Sequence, residues 1–515
     1  MTLAGRSSRG CTTCRTKKKK CDQKLPSCGL CLRTGSVCPG YRDPLSLAFR
    51  DQREKVITKA KTMYSHPRSK RVTKPRTTLI NEPTEKRLER PCVETDFNSN
   101  AALSYTAMAS SLIAALPFPL EEQATCFFFH HYIIMDEDYL KGYMSYLPTM
   151  FVDIPPNPAL YAAVIAVGSA GIANFKRSSD LMVTTSDRYS TALSLTHKLL
   201  ADLPKCWRYS TAVAVLLLAM YETATCVSPR SMLAWRSHVS GAATFLRMEK
   251  EDWCQGVGIE LLYDICEKLI LKCLQHREDI PPDIVHLIDQ VQNNDSSPKL
   301  SLQTIAMRLC SLRASTSRQT FPDARAIIYE AWKVDGELAH WARCLPVEYS
   351  YHRICNNHCS AQIPSEDHTY PCILVANLWN KYRCLRILAN EIILEQFSIG
   401  EWVYDEKQRH MSEYLLDLFA NQICSAASPY LSDNKSPSQS GALGTLLLWP
   451  LYLVATNWAA SLPIRDWAIS KLNEIGESKG ILQALSIANL LRKQWDITIW
   501  EQKLPILSAD LDDHW

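Results

Sequence analysis

Six cysteines near the start of this 515-residue chain, Cys11, Cys14, Cys21, Cys28, Cys31 and Cys38, have the type and spacing to do specific chemistry. They form two copies of C-x2-C-x6-C joined by DQKLPS. A C-x2-C turn sets two sulfurs on one cation, and the six residues that follow allow a short helix and a return with a third sulfur. Two tetrahedral zinc ions need eight ligand positions, which six thiolates fill only if two sulfurs bridge both metals. Equal spacing in the two halves favours that two-zinc cluster over a four-cysteine site with two idle thiols. The opening MTLAGRSSRG has no apolar export segment, so the thiols are expected in a reducing compartment, as ligands rather than disulfides. The other fourteen cysteines sit in apolar stretches, where cysteine is expected to act as a small core residue.

Between the second and third cysteines lies RTKKKK. Residues 1–40 hold nine Lys/Arg and one Asp, and residues 41–100 hold fourteen Lys/Arg and eight Asp/Glu. The first hundred residues therefore carry +14, and a net charge of +4 leaves −10 for the remainder. A basic end beside an acidic body fits a polyanionic partner for that end alone. Few aliphatic residues lie between Cys11 and Cys38, so a fold there depends on metal in place of a core.

The cysteine spacing, with Pro26 between the halves, resembles the fungal Zn(2)-C(6) binuclear zinc cluster, the DNA-binding module of a family of fungal transcription factors. The resemblance implies two zinc ions, with Cys11 and Cys28 as the bridging ligands. It also implies a short helix in the major groove of double-stranded DNA at CGG-type triplets. By position, Arg15 and Lys20 fall beside phosphates, and Lys17 and Lys18 near base edges. Lysine donors suit guanine O6 and N7, and clustered cations displace counterions from phosphates.

The elements that must carry this module divide the chain into residues 7–41, a basic linker over 42–119, and 120–515. In the linker, Phe49, Val56 and Met63 recur every seven residues, but Gln52 and Lys59 make the seam polar, so a single amphipathic helix is expected. The family resemblance implies a homodimer through such a seam, and this segment departs from it. The runs RTKKKK and RSKRVTKPR read as nuclear-import patches.

From Leu120 onward apolar residues recur at three- and four-residue spacing, and breaks fall at IPPNP, DIPPD and SDNKSPSQSG. The fold class expected is a small metal-stabilised Zn(2)-C(6) module, two short helices around two zinc ions, plus a large all-α multi-helix domain. The order of FFFHHYI, YAAVIAVGSAGIANF, LLLAMYETATC and WRSHVSGAATFLR is similar to the regulatory, middle-homology domain of the same fungal family. That likeness implies control of activity through this part of the chain, and contacts with transcription machinery or co-regulators. The longest nearly apolar run is read as Leu446–Ala455, interrupted by Pro450 and too short to span a bilayer, so no membrane partner is expected.

Catalytic motifs are not found. GVGIE at Gly256 lacks the third glycine of a dinucleotide loop, and no nucleophile elbow, zincin helix or phosphate loop occurs. His130 and His131 read as core or surface residues. His352, Cys355, His358, Cys359 and Cys372 are metal-capable, yet their order fits no zinc spacing, and HRICNNHC reads as a connection between helices. The tail SADLDDHW, with Asp510, Asp512 and Asp513, reads as a solvated end whose composition also suits an acidic activation segment. The leading reading is a nuclear, zinc-dependent, sequence-specific DNA-binding regulator of RNA polymerase II genes, not an enzyme. The alternatives are a helical-domain enzyme tethered to chromatin by the basic zinc module, and a zinc-thiolate module for RNA or protein contacts. The RNA form is disfavoured by the lack of aromatics between Cys11 and Cys38.

Overall fold

The computed structural model describes residues 11–17, 19, 21–22, 27–35, 38, 119–136, 140–152, 157–248, 253, 256–292, 297–318, 323–355, 364, 366–399, 406–431 and 439–493. The segment with Phe49, Val56 and Met63, the run RSKRVTKPR, and the acidic tail lie outside the described residues. So do Lys18, Lys20, His358 and Cys359.

Two five-residue helices form the N-terminal module, α1 (Thr12–Thr16) and α2 (Gly29–Arg33). The large helical body starts with α3 (Leu120–Tyr132), α4 (Leu147–Phe151), α5 (Pro158–Lys176) and α6 (Ser179–Ala201). It continues through α7 (Arg208–Ala224), α8 (Pro229–Phe245), α9 (Gly256–His276), α10 (Pro282–Gln292), α11 (Pro298–Arg318) and α12 (Ala324–Arg343). After the strands β1 (His352–Cys355) and β2 (Glu366–Thr369) come α13 (Ile373–Ile399), α14 (Glu406–Ser425), α15 (Ser428–Leu431), α16 (Ser440–Thr456), α17 (Leu462–Ser478) and α18 (Leu482–Arg492).

Starts and stops follow local chemistry. At α5, Asn157 accepts from the N–H groups of Ala159 and Leu160 while Pro158 takes the first turn, and Arg177 closes the helix in the left-handed region. Ser178 then caps α6 by accepting from the N–H of Leu181. Helix α5 packs on α3, α6 and α7, and α13 on α12, α14 and α16. The chain closes on itself where α16 meets α3. The N–H of Gln439 donates to the carbonyl of His130, and Ser440 Oγ lies 2.9 Å from His131 Nδ1. Burial holds His131 neutral, its pKa pushed down to about 3.

Three sequence expectations are corrected. The connection at HRICNNHC contains β1, which pairs antiparallel with β2 in the register His352–Thr369 to Cys355–Glu366. Buried His368 of β2 and Arg383 of α13 fix this ribbon, with His368 Nδ1 3.3 Å from Arg383 Nη2 and the guanidinium 5.2 Å from the centre of the Tyr351 ring. The longest apolar helix is α5, long and apolar enough to cross a membrane, but 83% of that stretch is buried inside the body. Helix α16 also continues through Pro450, which is buried in the apolar core where packing offsets the lost hydrogen bond. Finally, Cys226, Cys266, Cys273, Cys310, Cys384 and Cys424 are buried as expected, while Cys126 on α3, Cys206 in the turn before α7 and Cys344 just after α12 are exposed.

Candidate metal centre and nucleic-acid interface

Each half of the module is built in the same way. In the first, the N–H of Cys14 donates to Cys11 Sγ at 3.4 Å; in the second, the N–H of Cys31 donates to Cys28 Sγ at 3.3 Å. One turn of helix thereby places both sulfurs of each C-x2-C pair on the same side. Cys11, Cys14, Cys28 and Cys31 are buried, and Cys21 and Cys38 are half-buried at the edges.

The sulfurs fall into two groups of four, Cys11, Cys14, Cys21 and Cys28, and Cys11, Cys28, Cys31 and Cys38, each within 4.8 Å of one another. Cys11 and Cys28 belong to both groups. The closest separations are 3.6 Å for Cys14–Cys28 and 3.7 Å for Cys11–Cys28 and Cys11–Cys31. A disulfide needs about 2.05 Å, whereas a tetrahedral ion with zinc–sulfur bonds of about 2.3 Å sets sulfurs about 3.8 Å apart. The donor set therefore fits zinc. Four sulfurs in each group leave no open coordination position, which is the arrangement of a structural ion rather than a catalytic one. Burial and the adjacent Cys28 sulfur push the Cys31 thiol up to about 12, and burial also raises Cys14. A divalent cation is what makes thiolates of them.

Asp22, which the sequence reading passed over, ties the two halves together. Its carboxylate accepts from the N–H of Gly29, the first residue of α2, at 3.0 Å and 3.2 Å. The missing side chain at Gly29 makes room, since a Cβ there would stand 2.6 Å from Asp22 Oδ2. An acidic residue after the third cysteine and a glycine after the fourth were the available signal.

Of the expected DNA contacts, Arg15 lies in α1 and Lys17 is exposed just after it. The N–H of Lys17 donates to the Thr13 carbonyl at 3.1 Å, and that of Lys19 to the Cys14 carbonyl at 2.9 Å, the wider five-residue closure with which α1 ends inside the lysine run. Elsewhere, His352 lies on β1 and Cys372 packs against the apolar core. Among the described residues, groups of three or more close metal-capable side chains occur only in the N-terminal module.

Residues 9–47 match the fungal Zn(2)-Cys(6) binuclear cluster domain. The match encloses every cysteine of the module, and this is a zinc-binding domain. The same region is similar to a curated protein of Emericella nidulans, the aspercryptin biosynthesis cluster-specific transcription regulator, at 49% identity over 39 residues. That alignment covers 8% of this chain and 6% of the relative. No solved structure matches the chain.

Proposed function

We propose that this chain is a zinc-dependent, sequence-specific DNA-binding regulator of transcription by RNA polymerase II, acting in the nucleus. The observation that carries the reading is the pair of four-sulfur groups sharing Cys11 and Cys28, with the lysine run directly after α1. Two zinc ions take these six thiolates, Cys11 and Cys28 bridging, and hold α1 at a fixed angle to α2. Counting six thiolates and two ions as −2, the first forty residues keep a net positive charge for the phosphates. Arg15 and Lys20 serve phosphates, and Lys17 and Lys18 read CGG-type triplets in the major groove. The helical body, from residue 120, sets when the module acts, and dimerisation and co-regulator contacts belong to this body or the linker.

The test is selection of the full chain on a randomised DNA pool at fixed salt, with and without a zinc chelator. Enrichment of CGG-containing sites, abolished by chelation, is expected. Replacing Lys18 by Ala should then cost about 1–3 kcal/mol and relax the preference at one position, while Lys20→Ala should weaken all sequences alike and reduce the salt slope by about one. Binding that is salt-sensitive, unselective and indifferent to chelation would reduce the module to a polyanion tether.

A further inference from the structure

Helices α9, α11, α13 and α16 enclose a cleft of about 100 Å³, and a second lobe of about 100 Å³ adjoins it toward α7 and α8. Lys268, Leu271, Thr445 and Trp449 line both lobes. The walls are mainly apolar, yet three half-buried lysines converge on the first lobe. Two are neutralised: Lys381 Nζ lies 2.5 Å from Glu267 Oε2, and Lys299 Nζ lies 3.5 Å from Asp264 Oδ1. The third, Lys268, stands 5.1 Å over the Tyr143 ring and forms no ion pair among the described residues. The local balance is thus three ammoniums against two carboxylates. Glu267 does not take up a proton to add to the excess, because Lys381, Lys268 and Lys299 overcome its burial and hold it down to about 2.

Two further polar groups line the cleft. Gln303 donates its amide N–H to the Tyr263 carbonyl at 2.9 Å, which fixes the amide orientation and leaves Oε1 buried without a partner. Tyr143 Oη, beside the second lobe, is likewise buried, with the Lys268 ammonium beside it. A half-buried cation without an ion pair of its own, an orphaned acceptor and a buried hydroxyl in one apolar cleft describe the complement of a ligand rather than a packing fault.

We propose that this cleft binds a small carboxylate with a compact apolar body. The carboxylate pairs with Lys268 and accepts from Tyr143 Oη, the apolar body lies against Leu271 and Trp449, and a donor substituent satisfies Gln303. A cavity of roughly 150 Å³ takes benzene; each lobe is smaller, at about 100 Å³, so a ring with its acid group must draw on both across the shared Lys268, Leu271, Thr445 and Trp449. The site is separate from the zinc module and does not depend on DNA binding.

The experiment uses the full chain and fluorine NMR of 4-fluorobenzoate, with 4-fluorobenzamide as its neutral isostere and hexanoate as a linear competitor. 4-Fluorobenzoate is expected to bind, hexanoate to displace it, and the amide to bind roughly tenfold or more weakly, the worth of a charge-assisted contact. Lys268→Met should lower 4-fluorobenzoate affinity by a similar factor while leaving the thermal transition in place. Should that variant not fold, Ala306→Phe, which fills the first lobe from α11, should abolish binding. Equal binding of acid and amide, binding indifferent to Lys268→Met, or no binding of either acid at millimolar concentration would overturn the proposal.

Discussion

Not all six cysteines of the module carry equal weight, because Cys11 and Cys28 belong to both sulfur groups and the other four to one each. With the two zinc ions proposed above, replacing Cys38 by Ser should remove one ligand from one group and lower bound zinc toward one ion per chain. Replacing Cys28 by Ser removes a ligand from both groups and should release both ions. Elemental analysis of the purified full-length variants separates these outcomes, and equal zinc contents would contradict the shared-ligand arrangement. Asp22 is a subtler case. Its carboxylate holds the first N–H of α2 from the opposite half of the module, but it is exposed to solvent. Asp22→Ala should therefore cost only about 1 kcal/mol, read as roughly fivefold faster loss of zinc to a competing chelator. A chelation rate equal to wild type would mean that the metal alone fixes the angle between the halves.

At the scale of elements, the decisive contact is the approach of α5 to α3. A Cβ on Gly168 would stand 1.9 Å from the Ala124 carbonyl oxygen, a backbone atom that cannot swing aside. Gly168→Ala should thus lower stability by about 1–3 kcal/mol despite the better helix propensity of alanine. Gly336 in α12 is the natural control, since nothing lies within 4 Å of its added Cβ. Gly336→Ala should raise stability by roughly 0.5–1 kcal/mol. Thermal unfolding of the two variants in parallel tests both signs. The same elements show what the sequence could and could not convey. Helices whose apolar residues recur at three- and four-residue spacing between clear breaks were legible, α5 after the break at IPPNP among them. Helix α7 was legible as a helix but not as the centre of the body, because Ser210 through Ala224 are all buried and no polar face marks an outside. The ribbon β1–β2 was hidden because its four-residue strands carry charged and histidine side chains, and its stability comes from Arg383 on a distant helix. The cleft proposed above was invisible for the same reason: Lys268, Lys299 and Lys381 meet only after three helices assemble.

For the whole molecule, the buried histidines impose a pH dependence that no local motif announces. His131 and His238 lie in the apolar interior of the helical body, and His238 Nε2 has Tyr189 Oη at 2.9 Å while its Nδ1 has no partner. Burial pushes the pKa of His131 down to about 3 and that of His238 down to about 4. In the unfolded chain both return to about 6.5. Above that value neither state binds the proton, and folding is unaffected. As the pH falls below about 6.5 the unfolded chain takes up protons that the folded body refuses, so stability declines. The decline amounts to about 1.4 kcal/mol per pH unit for each histidine, and each contribution levels off once the pH drops through its folded pKa near 3 or 4. Denaturant unfolding of the full chain at pH 8, 7 and 5 should show little change over the first step and a marked fall over the second. His238→Gln should flatten that fall by about one histidine's share, since an amide of similar size can still meet Tyr189 without titrating. An unchanged slope would move the acid sensitivity to other groups and require that His238 be protonated, or solvated, in the folded body.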